Sequence, residues 1–246
     1  MSLLVYHEIE EEGVVFMDKG NTSIKQVDIA EPVYYNRACA GITSVLGVAL
    51  AVSSFLHGFY EFMQGNNATE GLIIQAIGPE QRHWVHGTEE AFTIIPNFLI
   101  TGMVTMLLSI LTAIWSAKFI HSKYGSRFFL MIFIALTFLG GGIAHVVFFL
   151  PVWGYSTRIM KELKFWRKIF KTGVTFGKKW PVAATVTVTT FLIALLVSVF
   201  GYVPSIKDPD TKLYICWSIL GVSFIMLHIT YVIGFAYDVN RNNIVQ

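Results

Sequence analysis

Charge is scarce in this sequence: Lys, Arg, Asp and Glu supply 14% of its 246 residues, where soluble domains carry roughly one-quarter. That shortage argues against an ordinary soluble domain, and a formal net charge of +2 is too small to point to nucleic acid. Cysteine is nearly absent. Cys39 and Cys216 each sit inside an apolar run, which leaves no disulfide framework, no CxxC metal motif and no CxxCH for covalent haem. Residues 1–37 have no basic start followed by an apolar stretch, and carry Glu8, Glu10, Glu11, Glu12 and Asp18 instead. The expectation is therefore no ordinary cleaved signal peptide, a first membrane segment that serves as its own insertion signal, and a solvated acidic tail.

What the sequence has in abundance is apolar length. Five stretches free of Lys, Arg, Asp and Glu run 38–60, 91–117, 128–157, 181–206 and 213–237, and about 20 mostly apolar residues suffice to cross a bilayer. A soluble core helix would carry a charged stripe, and none of the five does. The pattern predicts an all-α integral membrane protein, with a polar tail over 1–37, one helical bundle over 38–237 and a short C-terminal tail over 238–246.

The third stretch is ambiguous, because Gly140, Gly141 and Gly142 interrupt it and Pro151 follows. Glycine costs about 1 kcal/mol in a helix interior relative to alanine, so three in a row mark a break. The stretch is either a full span or a glycine-broken re-entrant pair. Re-entry would divide the Lys and Arg residues fifteen against three between the two faces, as expected when cytoplasmic loops collect basic residues. A full span agrees better with the ordinary behaviour of so long an apolar run.

Downstream, Arg158–Lys171 places Ile159, Leu163, Trp166 and Phe170 on one helical face and five basic residues elsewhere. This predicts an interfacial amphipathic helix over 158–171, its cations toward anionic lipid headgroups.

Polar residues gather around the first two segments. Gly47, Ala51, Ser54 and Gly58 form a small-residue packing stripe leading to His57, Tyr60, Glu61 and Gln64 on one helical face. Ionisable groups at membrane depth are costly and suggest proton handling or ligand binding, although Glu61 and Gln64 at headgroup level would need no such role. Asn97, Thr101, Thr105, Ser109, Thr112 and Ser116 make a second stripe, either interhelical glue or the wall of a wet cavity. Thr88 is a candidate N-cap with Glu89 and Glu90 in the first helical turn, unless Pro96 marks the true start of the segment. His83, His86 and Glu90 are the right residue types for zinc or iron, but their spacing matches no histidine motif. His145 and His228 are the candidate axial ligands of a non-covalent haem, packing or a proton relay being the alternatives.

His57-Gly58 with Glu61 and Gln64-Gly65-Asn66, Pro96-Asn97 with Ile100-Thr101-Gly102, and the Gly140–Gly142 triplet together resemble a set found in small prokaryotic multispan membrane proteins with no assigned activity. The resemblance covers roughly residues 40–155 and implies a prokaryotic cytoplasmic membrane. Where those proteins continue with glycine and proline, this chain has Ile143-Ala144-His145.

The resulting expectation is a polar pocket near the extracytoplasmic face, lined by His57, Tyr60, Glu61, Gln64, Asn97, Thr101 and His145, that binds or passes a small solute or ion. The alternatives are a membrane enzyme using His57 and Glu61 in acid–base or metal chemistry, and an accessory subunit whose polar stripes are protein contacts.

Overall fold

The computed structural model describes residues 34–170 and 175–245, so the acidic tail and Lys171 lie outside the described residues. The described chain is mostly helical: α1 Arg37–Met63, α2 Phe98–Ile114 continued by a π-helical turn Trp115–Phe119, α3 Gly125–Phe138, α4 His145–Ser156, α5 Lys164–Ile169, α6 Trp180–Phe200 and α7 Pro209–Val245. Between α1 and α2 lies a small hairpin, β1 Ile73–Gln75 and β2 Glu90–Phe92. Among the described residues, four helices are long and apolar enough to cross a membrane: Arg37–Met63, Phe98–Phe119, Thr175–Phe200 and Pro209–Arg241.

The helices are inverted relative to a soluble bundle. On α2 the buried side is Thr101, Gly102, Thr105, Ser109 and Thr112, while Met103, Leu107, Ile110 and Leu111 are exposed. Hydroxyls inside and aliphatics outside is the arrangement an apolar solvent selects. The α1 stripe packs on this face. A Cβ at Gly47 would strike Ser116, and one at Gly58 would strike the Gly102 carbonyl at 2.9 Å, so the antiparallel α1 and α2 meet backbone to backbone. Ser109 and Thr112 donate to the carbonyls of Thr105 and Leu108 one turn back, which satisfies them without a wet cavity.

Three expected boundaries move. The last segment runs as helix over Pro209–Val245 instead of 213–237, and so takes in residues expected as a C-terminal tail over 238–246. The second segment starts at Phe98 instead of residue 91, because Asn97 caps it by accepting the Ile100 N–H at 3.1 Å. Thr88, Glu89 and Glu90 therefore belong to an extended stretch, and the first-turn role expected for the two glutamates does not hold. The fourth segment ends at Phe200, where Gly201 adopts a left-handed C-cap (φ 60°), so 201–206 is not helical.

The third stretch is broken at the glycines, and its halves run antiparallel. Phe149 on α4 stacks against Phe133 on α3, and the Cys39 thiol near the start of α1 donates to the Tyr155 carbonyl near the end of α4. α3 thus leaves the end of the bundle that holds the start of α1, and α4 returns to it. At this end cluster Arg37, Lys118, Lys123, Arg127, Arg158, the basic residues of 161–168, Lys178, Lys179 and Arg241, whereas Arg82, Lys207 and Lys212 lie at the opposite end. The five apolar segments therefore become four long helices and one broken hairpin. Helix α3, at 14 residues, spans roughly 21 Å by its rise of 1.5 Å per residue.

The amphipathic helix expected over 158–171 forms only over Lys164–Ile169. Asn36 explains part of the shortfall: its amide donates to the carbonyls of Arg158 and Lys161, both at 2.7 Å, holding that stretch as a turn. Ile159, Leu163 and Phe170 are buried, and Trp166 packs on Phe235 of α7, so the apolar face is turned into the protein.

Asp238 on α7 closes the basic end. Its carboxylate accepts the backbone N–H groups of Ala38 and Cys39, each at 2.9 Å, which are orphan donors of the first turn of α1. Replacing Asp238 with alanine should destabilise the protein by about 2 kcal/mol, since both donors would be stranded in a buried place. Thermal denaturation in detergent measures this, and Asp238→Asn, which keeps one acceptor, should recover part of the loss.

Candidate functional site

At the end opposite the basic cluster, α1 carries His57 and Glu61 one turn apart, 2% and 0% exposed. Gly58 draws α1 against α2 beside them, which explains how an imidazole and a carboxylate come to be enclosed. His57 Nε2 meets Glu89 Oε2 in an ion-pair contact, and Glu89 Oε1 accepts from the Ser198 hydroxyl on α6. The His57 ring lies edge-on to His145 at the start of α4, with centroids 4.8 Å apart. His145 Nε2 pairs with the Ser53 hydroxyl. Four ionisable side chains thus converge from α1, the α1–α2 connection and α4.

The α1–α2 connection positions Glu89. β1 and β2 pair antiparallel with Ile74 opposite Ala91, and the Ala76 N–H donates to the Glu89 carbonyl at 2.8 Å. The glycine turn then joins β2 from its other side. Gly140 N–H donates to the Phe92 carbonyl at 2.9 Å, Ile143 N–H to that of Glu90 at 3.2 Å, and Ile94 N–H to that of Phe138 at 3.1 Å. Backbone released by breaking a helix must find partners away from water, and β2 supplies them. The same strand therefore places Glu89 on His57 and holds the turn that aims His145.

Several polar atoms in this cluster have no hydrogen-bond partner among the described residues. These are His57 Nδ1, His145 Nδ1 and Glu61 Oε1. Both Nδ1 atoms face one point: a Cβ at Gly142 would lie 2.5 Å from His145 Nδ1 and 2.8 Å from His57 Nδ1. The other Glu61 oxygen gains little, because the Thr105 hydroxyl 3.3 Å away is 2.5 Å from the Leu139 carbonyl. Unpaired buried polar atoms are costly and mark a place where something else completes the bonding.

Burial pushes the Glu89 carboxyl up, but the charge and hydrogen bond of His57 and the Ser198 hydroxyl outweigh it and hold Glu89 at about 2. A carboxylate facing an imidazole fixes the ring's orientation.

The remaining sequence candidates separate. Tyr60 bonds His83 Nε2 at 3.0 Å, and Gln64 donates to the carbonyls of Gln75 and Ala76 at 2.9 Å. Asn97 caps α2 and donates to Asn66 at 2.7 Å, while Thr101 donates to the Ile95 carbonyl at 3.1 Å. These four fasten the connection over the cluster without joining it. Of the metal candidates, His83 is on Tyr60, His86 is on Asp210 at 2.8 Å and Glu90 is exposed in β2, so they do not converge. Among the described residues no three His, Cys, Asp or Glu side chains are grouped to hold a metal ion. His228 pairs with the Tyr155 hydroxyl at 2.8 Å while His145 pairs with Ser53, so the two histidines considered for haem do not face one another.

Glu89, Ser53, Ser198 and Thr105 enter the site without having been singled out for it in the sequence. For Glu89 a signal existed: Pro96-Asn97 is a stop and cap pair that moves the helix start past it. No protein-family model matches the chain, and no curated protein or solved structure is significantly similar to it.

Proposed function

We propose that this chain is a multispan membrane protein that binds a small solute or ion at the His57–Glu61–Glu89–His145 cluster and passes it across the bilayer with proton exchange at His57 and Glu89. The observation that carries this is the group of unpaired polar atoms on three buried ionisable side chains, His57, Glu61 and His145, with Glu89 against His57, set at the tip of a helical hairpin broken by glycine. Broken segments that expose backbone beside ionisable groups are how membrane transporters build sites, and intramembrane ionisable residues mark ion and proton paths. The basic end faces the cytoplasm in this reading, of a prokaryotic cell, and α3–α4 re-enters from it.

The test is reconstitution in liposomes under an imposed pH gradient, offering small ions and solutes in turn. Flux of one of them should dissipate the gradient, and Glu89→Gln should abolish the coupling. Absence of any flux, together with no solute that changes thermal stability, would remove this reading. The orientation has its own check: single cysteines at Ser122 and at Lys178 should label from one side of intact cells and one at Asn67 from the other. Labelling of Ser122 and Lys178 from opposite sides would make the third stretch a full span.

One observation favours a second reading, a membrane enzyme acting on a lipid-soluble substrate. A carboxylate on one ring nitrogen of the buried His57, with the other nitrogen unpaired, is how general bases are oriented. Turnover without flux would select it.

A further inference from the structure

At the basic end, far from the cluster, α4, α5 and α7 enclose an open groove of about 410 Å³, lined by Pro151, Gly154, Tyr155, Arg158, Trp166, His228 and Phe235. That volume is too large for an ion and within the range of small-molecule sites. Its polar groups are graded along its length. Arg158, exposed, stands at the mouth, and Lys161, Lys164, Arg167 and Lys168 follow it in the chain. Tyr155 and His228, bonded to each other, lie further in, and His228 sits roughly 15 Å along α7 from Asp238 by helical rise. The rest of the lining is apolar: Phe235 beside Tyr155, and Pro151 and Gly154 on α4. Glu162 is the carboxylate of this stretch and is engaged by Arg167 at 3.1 Å and Lys164 at 3.8 Å, so Arg158 is in no ion pair among the described residues.

We infer that this groove holds one anionic phospholipid of the leaflet at the basic end, its phosphate on Arg158, its glycerol ester region beside Tyr155 and His228, and an acyl chain along Pro151, Gly154 and Phe235. Charge complementarity selects the headgroup: a guanidinium at the mouth within a basic cluster is matched to phosphate. A cation, a hydrogen-bonding pair and an apolar wall in one groove are the groups that the phosphate, ester and hydrocarbon of a lipid need. Trp166, packed between Phe170 and Phe235, provides the amphipathic ring common at this depth.

The test uses the full-length protein in mild detergent and titrates phosphatidylglycerol, phosphatidylcholine and inorganic phosphate while following thermal stability. Phosphatidylglycerol should stabilise and the other two should not. Two variants probe the groove. Arg158→Gln should weaken the phosphatidylglycerol effect about tenfold in concentration, the loss of one charge-assisted contact. Gly154→Phe should abolish it by filling the groove, since a Cβ there meets nothing within 4 Å. Lys178→Gln removes an equal charge at the same end outside the groove and should leave the effect intact. Equal weakening by Lys178→Gln and Arg158→Gln would reduce the binding to diffuse surface attraction and overturn the proposal. So would stabilisation by inorganic phosphate alone, or equal stabilisation by the two lipids.

Discussion

Replacing Glu89 with alanine is expected to cost about 1–3 kcal/mol of stability, because removing this half-buried carboxylate leaves the imidazole of His57 without its partner. His57 is 2% exposed and takes its contact from Glu89. The Ser198 hydroxyl on α6 loses its acceptor as well, while the Ser198 carbonyl keeps the Trp84 indole N–H that ties α6 to the α1–α2 connection. Glu89→Gln keeps the shape and one acceptor and should cost less, while still ending proton exchange at the pair. The pH dependence follows from the sign of the shift. A carboxyl held at about 2 against its ordinary 4.5 contributes stability that is fully present above pH 4.5 and is lost as the pH falls toward 2. Melting temperatures of the wild type and Glu89→Gln, measured in detergent between pH 2 and 7, should therefore converge below pH 4.5. Curves that stay parallel across that range would show that Glu89 is not the anionic partner described.

The long helices were legible in the sequence because they follow from one property, apolar length without charge. That property survives averaging over twenty residues. The break at Gly140–Gly142 was legible as a break but not as a turn, since direction depends on partners far away in the chain. Those partners are the backbone carbonyls of Phe92 and Glu90, and nothing in their side chains advertises that they receive the N–H groups of Gly140 and Ile143.

The same limit governed the site. His57, Glu61 and His145 were visible because ionisable residues inside apolar runs are conspicuous, whereas Glu89 stood in a polar loop where a carboxylate is unremarkable. It became a site residue through the β1–β2 hairpin, whose strands are three residues each and carry too little periodicity to be read. Gln64, Asn97 and Thr101 illustrate the converse. They share the helical faces of the site residues, yet each reaches backbone or a neighbouring loop side chain at close range, and so works as a fastener. In the basic stretch the apolar residues Ile159, Leu163 and Phe170 are buried and Trp166 packs on α7, a partner that lies some seventy residues on in the chain and that local periodicity does not reveal.

Gly142→Ala should be strongly destabilising. At φ 86° an L-residue carries a penalty of about 1–2 kcal/mol, and the added carbon would lie within 2.8 Å of a ring nitrogen of each of His57 and His145. Neither ring is free to retreat: His57 is held by Glu89 and His145 by Ser53. Overpacking of that kind adds about 1–3 kcal/mol, so the combined loss should reach roughly 3 kcal/mol. Gly221→Ala is the control. Its Cβ would meet nothing within 4 Å in the middle of α7, and alanine there should be neutral or stabilising by up to about 1 kcal/mol. The distinguishing measurement is a pair of readouts on Gly142→Ala, melting temperature and the imidazole NMR resonances of His57 and His145. A large loss of stability with both resonances displaced is the outcome the geometry requires. Behaviour indistinguishable from Gly221→Ala would mean that the two rings do not face each other across the turn, and the proton-exchange site built on them would fall with that geometry.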